Sequence, residues 1–282
     1  MSFLSKVFRY VNEKGESLTF TYENGFLINK PAGIDTIQVN MSQVTGIEQI
    51  GSTIQSANIQ PRPVTVSGVL FGGFIKQNKD KLLTIVRPDL KARLYADDYY
   101  LSVRPTSTPT IDPSEEFSRF QFSVIAPYPY WQYESEVKVI LSGLQYMFKL
   151  PWNLSREYQF AERLESQFVN VQNRGQIPVP MTVTFFARGD CENPKLTNVS
   201  TGKYILIQKE LTAGERVVVE ITHDRTRVTS SVDGDIRGAL SLRSTLNSLD
   251  VGDNVLKPEA EEGGDQLEVS VEFTKEIVGI SL

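Results

Sequence analysis

Hydrophobic and polar residues alternate along most of this chain with the two-residue period of β-strands. Near the start, residues 18–22 and 26–28 alternate in this way and flank Asn24-Gly25. A type I′ turn requires positive φ at both central residues, and Asn-Gly accepts that geometry readily. The pattern therefore predicts a hairpin that turns at Asn24-Gly25.

A second hairpin is predicted further along the first half of the chain. Residues 91–95 and 99–103 alternate in the same way and flank Asp97-Asp98. Residues 120–124 then place their apolar side chains on one face, which is typical of a half-buried strand.

One segment of this half has the period of an amphipathic helix instead. Between residues 73 and 87, apolar residues recur at helical intervals while the lysines fall elsewhere, and Pro88 stops the pattern. The predicted apolar stripe consists of Phe74, Ile75, Leu82, Leu83 and Val86.

The second half is a succession of short strand-like runs separated by turn-forming residues. These runs are residues 137–141, 181–186, 204–207, 217–221 and 267–273. Many short strands with frequent turns predict a β-sandwich of jelly-roll type. Two prolines in residues 126–131 interrupt pairing, so the sequence predicts one domain over residues 1–131 and a second over 132–282.

Residues 39–63 have a different composition. They are rich in Gln and Ser and poor in large apolar side chains. Isoleucines nevertheless recur there, at Ile47, Ile50, Ile54 and Ile59. Long loops without structure are uncommon in compact domains. We therefore interpret residues 39–62 as a hairpin or arm that binds another subunit, with an ordinary mobile surface loop as the alternative.

Composition narrows the functional classes. The chain has 282 residues, 40% of them hydrophobic, and a formal charge of −5, which gives no general attraction to nucleic acid or anionic lipid. The single cysteine excludes an internal disulfide and, with the single histidine, a Cys/His zinc cluster. The start of the chain has no signal-peptide pattern, so we expect synthesis in a reducing cytoplasm.

Candidate catalytic and cofactor motifs are weak. His223 and Asp224 lie between two strand-like runs, where a turn histidine is expected. The glycines of residues 68–73 precede the predicted helix but lack the Gly-Lys-Ser/Thr ending of a phosphate loop. No catalytic residue and no cofactor is predicted.

Carboxylates and aromatic residues give two further candidate sites. Glu268 and Glu272 are expected on the solvated face of a strand, opposite Val269, Val271 and Phe273, and no glycosidase motif accompanies them. Asp233-Gly-Asp235 lacks the later ligands of a calcium loop and predicts a hairpin turn. Trp131 and Trp152 could stack on a sugar or anchor an interface.

The order of these elements resembles the distal tail proteins of long-tailed phages, the phage tail family of Gram-positive hosts. The segments that carry the resemblance are residues 51–52, 61–68, 87–88, 99–103, 120–124, 126–131, 148–151, 173–175, 178–180, 193–194, 201–202, 211–215 and 249–254. The polar arm and the acidic residues 259–262 depart from the family pattern.

The resemblance implies a mainly β structural protein of the virion, not an enzyme. Its first domain would form a ring with five further copies, and its second would be a galectin-like sandwich. The ring would bind the tail tube protein above and the tail-tip hub, or tail-associated lysin, below, and would let DNA pass. Receptor-binding proteins could attach outside. The candidate oligomer interface is Ile47, Ile50, Gly51, Ile54, Ile59 and Arg62.

A second function from another class stays open. The second domain could be a carbohydrate-binding module that grips host cell-wall polysaccharide. Such a module needs aromatic platforms flanked by Arg, Asn or Asp, and the strands show no evident aromatic ladder.

Overall fold

The computed structural model describes residues 6–114, 116–146, 161–164 and 168–281, and for 143–146 and 161–164 only the backbone. The chain divides into two compact units. The first comprises the residues up to Glu134 together with those from Glu276 onward, and the second comprises Ser135–Lys275. No helix in these described ranges is long and apolar enough to cross a membrane.

The strands of the first unit are β1 (Phe8–Asn12), β2 (Ser17–Phe20), β3 (Phe26–Ile28), β4 (Val39–Val44), β5 (Thr53–Ile59), β6 (Arg62–Phe71), β7 (Ala92–Ala96), β8 (Tyr99–Pro105), β9 (Thr110–Ile111), β10 (Phe117–Ala126), β11 (Trp131–Tyr133) and β25 (Glu276–Ile277). All of them except β4 and β5 belong to one curled antiparallel sheet, whose main strand order is β2-β1-β7-β8-β10-β6-β3.

The longest pairing in this sheet joins β6 and β10 over ten residues each. Alternate side chains of both strands are buried, among them Val66 and its partner Phe122. Strand β3 then packs closely on β6, where a Cβ at Gly68 would lie 2.4 Å from the Leu27 carbonyl oxygen. Glycine is required there because a side chain would collide with that backbone.

The second predicted hairpin is confirmed. Strands β7 and β8 pair from Ala92 with Val103 to Ala96 with Tyr99. Asp97, in the turn, has a φ of 51°, a left-handed conformation that Asp tolerates better than most residues.

The first predicted hairpin is wrong, although its turn exists. The Phe26 amide donates to the Thr21 carbonyl at 3.0 Å, so the chain does reverse near Asn24. However, β2 pairs with β1 and β3 pairs with β6, at opposite ends of the strand order. Local turn chemistry predicted the reversal but could not show that each strand finds its partner elsewhere.

The predicted helix is confirmed as α1 (Ile75–Ile85), preceded by a 3₁₀ turn at Gly72–Phe74. Of the predicted stripe, Ile75, Leu82 and Val86 are buried. Phe74 and Leu83 are instead about half exposed, because the face that packs on the sheet is narrower than the pattern indicated.

The last residues of the chain return to the first unit. Strand β25 pairs with β11, and the Ile280 amide donates to the Ile34 carbonyl at 3.1 Å. The sequence placed these residues in the second domain, because its only boundary signal was the proline-rich stretch before Trp131.

The second unit is a β-sandwich. Its strands are β12 (Val137–Tyr146), β13 (Ala161–Leu164), β14 (Val169–Asn173), β15 (Thr182–Ala187), β16 (Cys191–Glu192), β17 (Lys195–Asn198), β18 (Tyr204–Leu206), β19 (Glu210–Leu211), β20 (Arg216–Ile221), β21 (Thr226–Ser230), β22 (Gly234–Asp235), β23 (Gly252–Glu259) and β24 (Leu267–Phe273).

Two sheets of this unit enclose its core. One has the order β13-β12-β24-β15-β20-β21-β22 and the other β14-β23-β17-β18. Phe185 and Val271 from the first sheet and Leu196 and Leu256 from the second belong to one buried cluster. The predicted fold class, a mainly β chain with one helix followed by a β-sandwich, is confirmed.

Candidate functional site

One hairpin of the first unit stands apart from the curled sheet. Among the strands that the structure describes, β4 and β5 pair only with each other, and every residue from 38 to 59 is exposed. At the root of this hairpin, the Gln60 amide donates to the Gln38 carbonyl at 2.9 Å and closes the pairing. We call residues 38–60 the arm. A two-stranded hairpin alone is only marginally stable in water, so the arm would be stabilised by any surface that packs against it.

The arm has an apolar face and a polar face. Directly paired residues of antiparallel strands share a face. The apolar face therefore carries four large apolar side chains, Val39, Met41, Ile54 and Ile59, together with Gln43, and the polar face carries Asn40, Ser42, Ser56 and Asn58, together with Val44. The four large apolar side chains are 43–55% exposed. This face is mostly apolar, and it packs on neither of the hydrophobic cores that the described residues form.

The tip of the arm, residues 46–51, exposes two isoleucine side chains completely. Ile47 and Ile50 have relative exposures of 100% and 103% and flank Glu48. Glu48 adopts a φ of 61° and Gly51 a φ of 86°, which produces the tight reversal. Burial of one isoleucine side chain stabilises a complex by about 1.5–3 kcal/mol. The tip is therefore the part of the arm with most to gain from a partner.

Arg62, the remaining predicted interface residue, lies at the root of the arm and is buried. Its Nη1 donates to the carbonyls of Gly33 and Ile34 at 3.2 and 2.7 Å, and its Nη2 donates to the Val278 carbonyl. Burial lowers the pKa of the guanidinium below its ordinary value, while the Asp35 carboxylate opposes that shift. Arg62 thus joins the root to the returning chain end and is not available to a partner.

The aromatic residues before β11 are also structural. Trp131 is fully buried and its Nε1 donates to the Ile34 carbonyl at 3.0 Å. Tyr128 donates its hydroxyl hydrogen to the buried carboxylate of Glu276, and Gln132 donates to the same carboxylate at 3.0 Å. Burial and this bond raise the pKa of Tyr128. These contacts fix the chain end beside the root of the arm.

An open groove of about 690 Å³ crosses the sheet of the first unit between β1, β7, β8 and β10. Its apolar walls include Val11, Val103, Ile125 and Pro127, and its charged residues are Glu13, Lys91, Arg93 and Arg104. We call this depression, together with the residues that line it, the groove. It carries three cationic side chains against one anionic side chain in a chain whose net charge is −5.

The cations of the groove differ in how they are held. The Arg93 guanidinium carbon lies 4.7 Å from the centroid of the Tyr100 ring, which fixes that side chain over the sheet. Lys91 and Arg104 form no ion pair with any residue that the structure describes. The groove therefore offers unpaired positive charge beside apolar surface.

The candidate catalytic residues occupy structural positions in the second unit. His223 and Asp224 are exposed in the turn between β20 and β21, as the sequence predicted. Glu268 and Glu272 lie on the less buried face of β24 and form ion pairs with Arg188 and Lys138. Gly234 turns with a φ of 74°, as expected of a hairpin. Across the described ranges, no group of three His, Cys, Asp or Glu side chains could hold a metal ion.

A buried carboxylate in the same unit is fully engaged. Glu215 accepts from Lys209 Nζ at 2.8 and 3.0 Å and from the Ser230 hydroxyl at 2.6 Å. Burial alone would raise the pKa of Glu215, but these donors lower it below its ordinary value. The cluster closes the turn before β20 and leaves no acid poised for proton transfer.

The solvent face of the four-stranded sheet carries polar and aromatic groups. Lys195 Nζ lies 5.0 Å from the Tyr204 ring centroid, and Glu259 accepts from Lys257 at 2.6 Å. Phe168, beside this sheet, is 50% exposed. Trp152, the other predicted sugar-stacking residue, and the motif at residues 148–151 lie outside the described residues.

A family model matches part of the second half of the chain. Residues 174–276 match the model of the siphovirus-type tail component, C-terminal domain. This match confirms the resemblance to phage distal tail proteins that the sequence predicted. No curated protein sequence matches the chain.

Comparison with solved structures covers nearly the whole chain. The crystal structure of Dit from phage SPP1, described as a hub adsorption apparatus in phages that infect Gram-positive hosts, matches with a TM-score of 0.70 and 15% identity, over 96% of this chain and 99% of that one. Two structures of the activated phage P2 baseplate, with Ca and with Sr, match with TM-scores of 0.49 and 0.47 and identities of 6% and 7%, over 98% of this chain and 100% of theirs. The SPP1 match shows a shared fold.

Proposed function

We propose that this chain, which carries a siphovirus-type tail component domain, is a structural subunit of a phage tail whose first unit assembles with five other copies into a ring at the distal end. The ring would join the tail tube to the tail-tip hub and the host-recognition proteins. The family match and the fold shared with SPP1 Dit support a structural, non-enzymatic role in the tail. The protein would be made in the host cytoplasm and act in the virion.

The exposed arm is the observation on which the proposed ring rests. A ring closes only if each subunit presents two different and complementary surfaces. The arm provides one such surface, because its apolar face and its tip are exposed throughout. Extended strands commonly bind by packing on, or adding to, a neighbouring sheet. Ile47, Ile50, Gly51, Ile54 and Ile59 remain in the proposed interface, whereas Arg62 does not.

The charge of the chain is compatible with a passage for DNA. Strongly basic surfaces bind DNA phosphates and would retain a genome in transit. With a net charge of −5, the subunit has no overall excess of positive charge.

Removing the arm tests the ring. Replacement of residues 39–59 by Asn-Gly keeps the Gln38–Gln60 closure and spares Arg62. Light scattering after size exclusion should give a mass about six times the 31.7 kDa chain for the natural protein. The variant should be monomeric. Its circular dichroism spectrum should remain that of a folded β protein, because only the hairpin is removed. If it still elutes as a hexamer, the arm does not hold the ring.

A carbohydrate-binding role for the second unit is a second candidate. It is favoured by the polar face of the four-stranded sheet, where Tyr204 and Lys195 stack and Thr197 hydrogen-bonds to Glu259. Sugars bind such faces through stacking on a ring and hydrogen bonds to neighbouring polar groups.

Calorimetry with soluble wall polysaccharide tests this candidate directly. Binding should be detected with the natural chain and should weaken at least about tenfold in Tyr204→Ala, since the stacking platform is lost. Tyr22→Ala, which removes an exposed tyrosine of the first unit, is the matched control. Equal binding by both variants, or none by the natural chain, excludes this sheet face as a glycan site.

A further inference from the structure

We infer that the tip of the arm of one copy binds in the groove of the next copy. The inference rests on the proposed ring and adds to it the surface that receives the arm. The tip is residues 46–51, and the groove is the set between β1, β7, β8 and β10 described above. Both belong to the first unit, so each copy would offer one tip and one groove.

The two surfaces match in their apolar content. The tip presents Ile47 and Ile50, which are fully exposed. The groove presents the apolar side chains of Val11, Ile125 and Pro127 along its walls, and Ile125 is 36% exposed. A volume of about 690 Å³ accommodates two isoleucine side chains and the backbone turn that joins them.

The two surfaces also match in charge. Glu48 lies between the two isoleucines and is the only charged residue of the arm. It forms no ion pair with any residue in the described ranges. Arg93 and Arg104 border the groove, and Arg93 is already held over Tyr100. A carboxylate that enters between two guanidiniums is favoured by their charge and by charge-assisted hydrogen bonds.

The geometry favours a second copy over another kind of protein as the occupant. A tip and a groove on opposite partners form a heterologous contact, which is the type that rings require. One negative residue with two apolar neighbours is matched by cationic residues beside an apolar wall of the same unit. A surface for an unrelated partner would have no reason to be complementary to the arm of its own chain.

Charge reversal on each side tests the contact. Glu48→Arg, and Arg93→Glu with Arg104→Glu, should each weaken self-association of the full chain at least about tenfold in sedimentation velocity. Combining all three substitutions in one chain should restore most of the loss, because the pair is then reversed and not removed. The matched controls are Glu23→Arg and Arg119→Glu, which reverse exposed charges elsewhere in the same unit.

A second set of variants tests the apolar part. Ile47→Ser with Ile50→Ser should weaken association, whereas Leu242→Ser, at an equally exposed residue of the second unit, should not.

If the natural chain assembles and Glu48→Arg assembles equally well, the tip does not bind the groove, and the ring is held by other contacts. If the natural chain remains monomeric at high concentration, the proposed ring itself is wrong. Loss without rescue in the triple variant also overturns the pairing.

Discussion

Arg62 shows how a buried residue at the root of the arm can fix the position of an exposed surface. Its guanidinium donates to three main-chain carbonyls, those of Gly33, Ile34 and Val278. The first two lie before the arm and the third lies in the returning end of the chain. Because the arm leaves the sheet between Ile34 and Arg62, these bonds fix the position from which it projects.

Replacing Arg62 should therefore destabilise the first unit. Arg62→Met removes three charge-assisted hydrogen bonds to main-chain carbonyls, a loss that costs about 2–4 kcal/mol in total. Arg62→Lys should lose most of that stability too, since one ammonium cannot replace the planar fork that reaches three carbonyls. Urea denaturation followed by tryptophan fluorescence measures the change, because Trp131 contacts the same Ile34 carbonyl.

Arg119→Met is the control for this experiment. Arg119 is exposed on β10 of the same unit, and its loss should change stability by less than about 0.5 kcal/mol. A denaturation midpoint of Arg62→Met equal to that of Arg119→Met would show that the carbonyl contacts contribute nothing.

Single residues also show what sequence reasoning could and could not find. Ile47 and Ile50 were recognisable because they are large apolar residues in a polar segment, and both are fully exposed. The burial of Arg62 was not recognisable, because its partner carbonyl at Val278 lies more than 200 residues further along the chain. The groove was missed for the same reason, since Val11, Arg93 and Ile125 come from three separate strands.

Elements were predictable where local chemistry decides them. Asp97-Asp98 between alternating runs correctly predicted the β7–β8 hairpin, and Pro88 correctly predicted where α1 ends. Asn24-Gly25 correctly predicted a turn but not a hairpin, because β2 and β3 lie at opposite ends of the strand order. Pairing partners depend on the whole sheet, and turn residues contain no information about them.

The arm shows the same limit within one element. Strict alternation would place Ile54 and Ile59, five residues apart, on opposite faces of β5. The register shift opposite Ser42 and Gln43 brings both onto the face that carries Val39 and Met41. A bulge of this kind adds one residue to one strand and reverses the facing of everything beyond it. The sequence gives no signal of its position, so the apolar face became visible only in the structure.

At the scale of the whole molecule, order along the chain was more informative than any single motif. The succession of turn signals and strands led to the phage tail family, and residues 174–276 match that family's C-terminal domain model. The return of the chain end to the first unit had no such signal. Glu276 is buried beside Tyr128 and Gln132, but a lone glutamate near a terminus looks solvated in sequence.

Head-to-tail assembly makes a prediction that belongs to the whole molecule. A copy whose residues 39–59 are replaced by Asn-Gly keeps its groove, and a copy with Arg93→Glu and Arg104→Glu keeps its arm. Each alone should be monomeric, since neither has a complete pair of surfaces. Mixed in equal amounts, they should form a one-to-one dimer and nothing larger, because only one tip and one groove remain competent. The dimer should have a mass near twice that of the 31.7 kDa chain, measured by light scattering.

The outcome of the mixture separates two kinds of contact. An isologous interface would use the same patch on both partners, and removing the arm from one copy would then abolish pairing altogether. A mixture that stays monomeric would therefore contradict the tip-to-groove contact. Species larger than a dimer would show that a third surface joins the copies and that tip and groove are not sufficient to explain assembly. Only a dimer is consistent with a chain that carries one donor surface and one acceptor surface on its first unit.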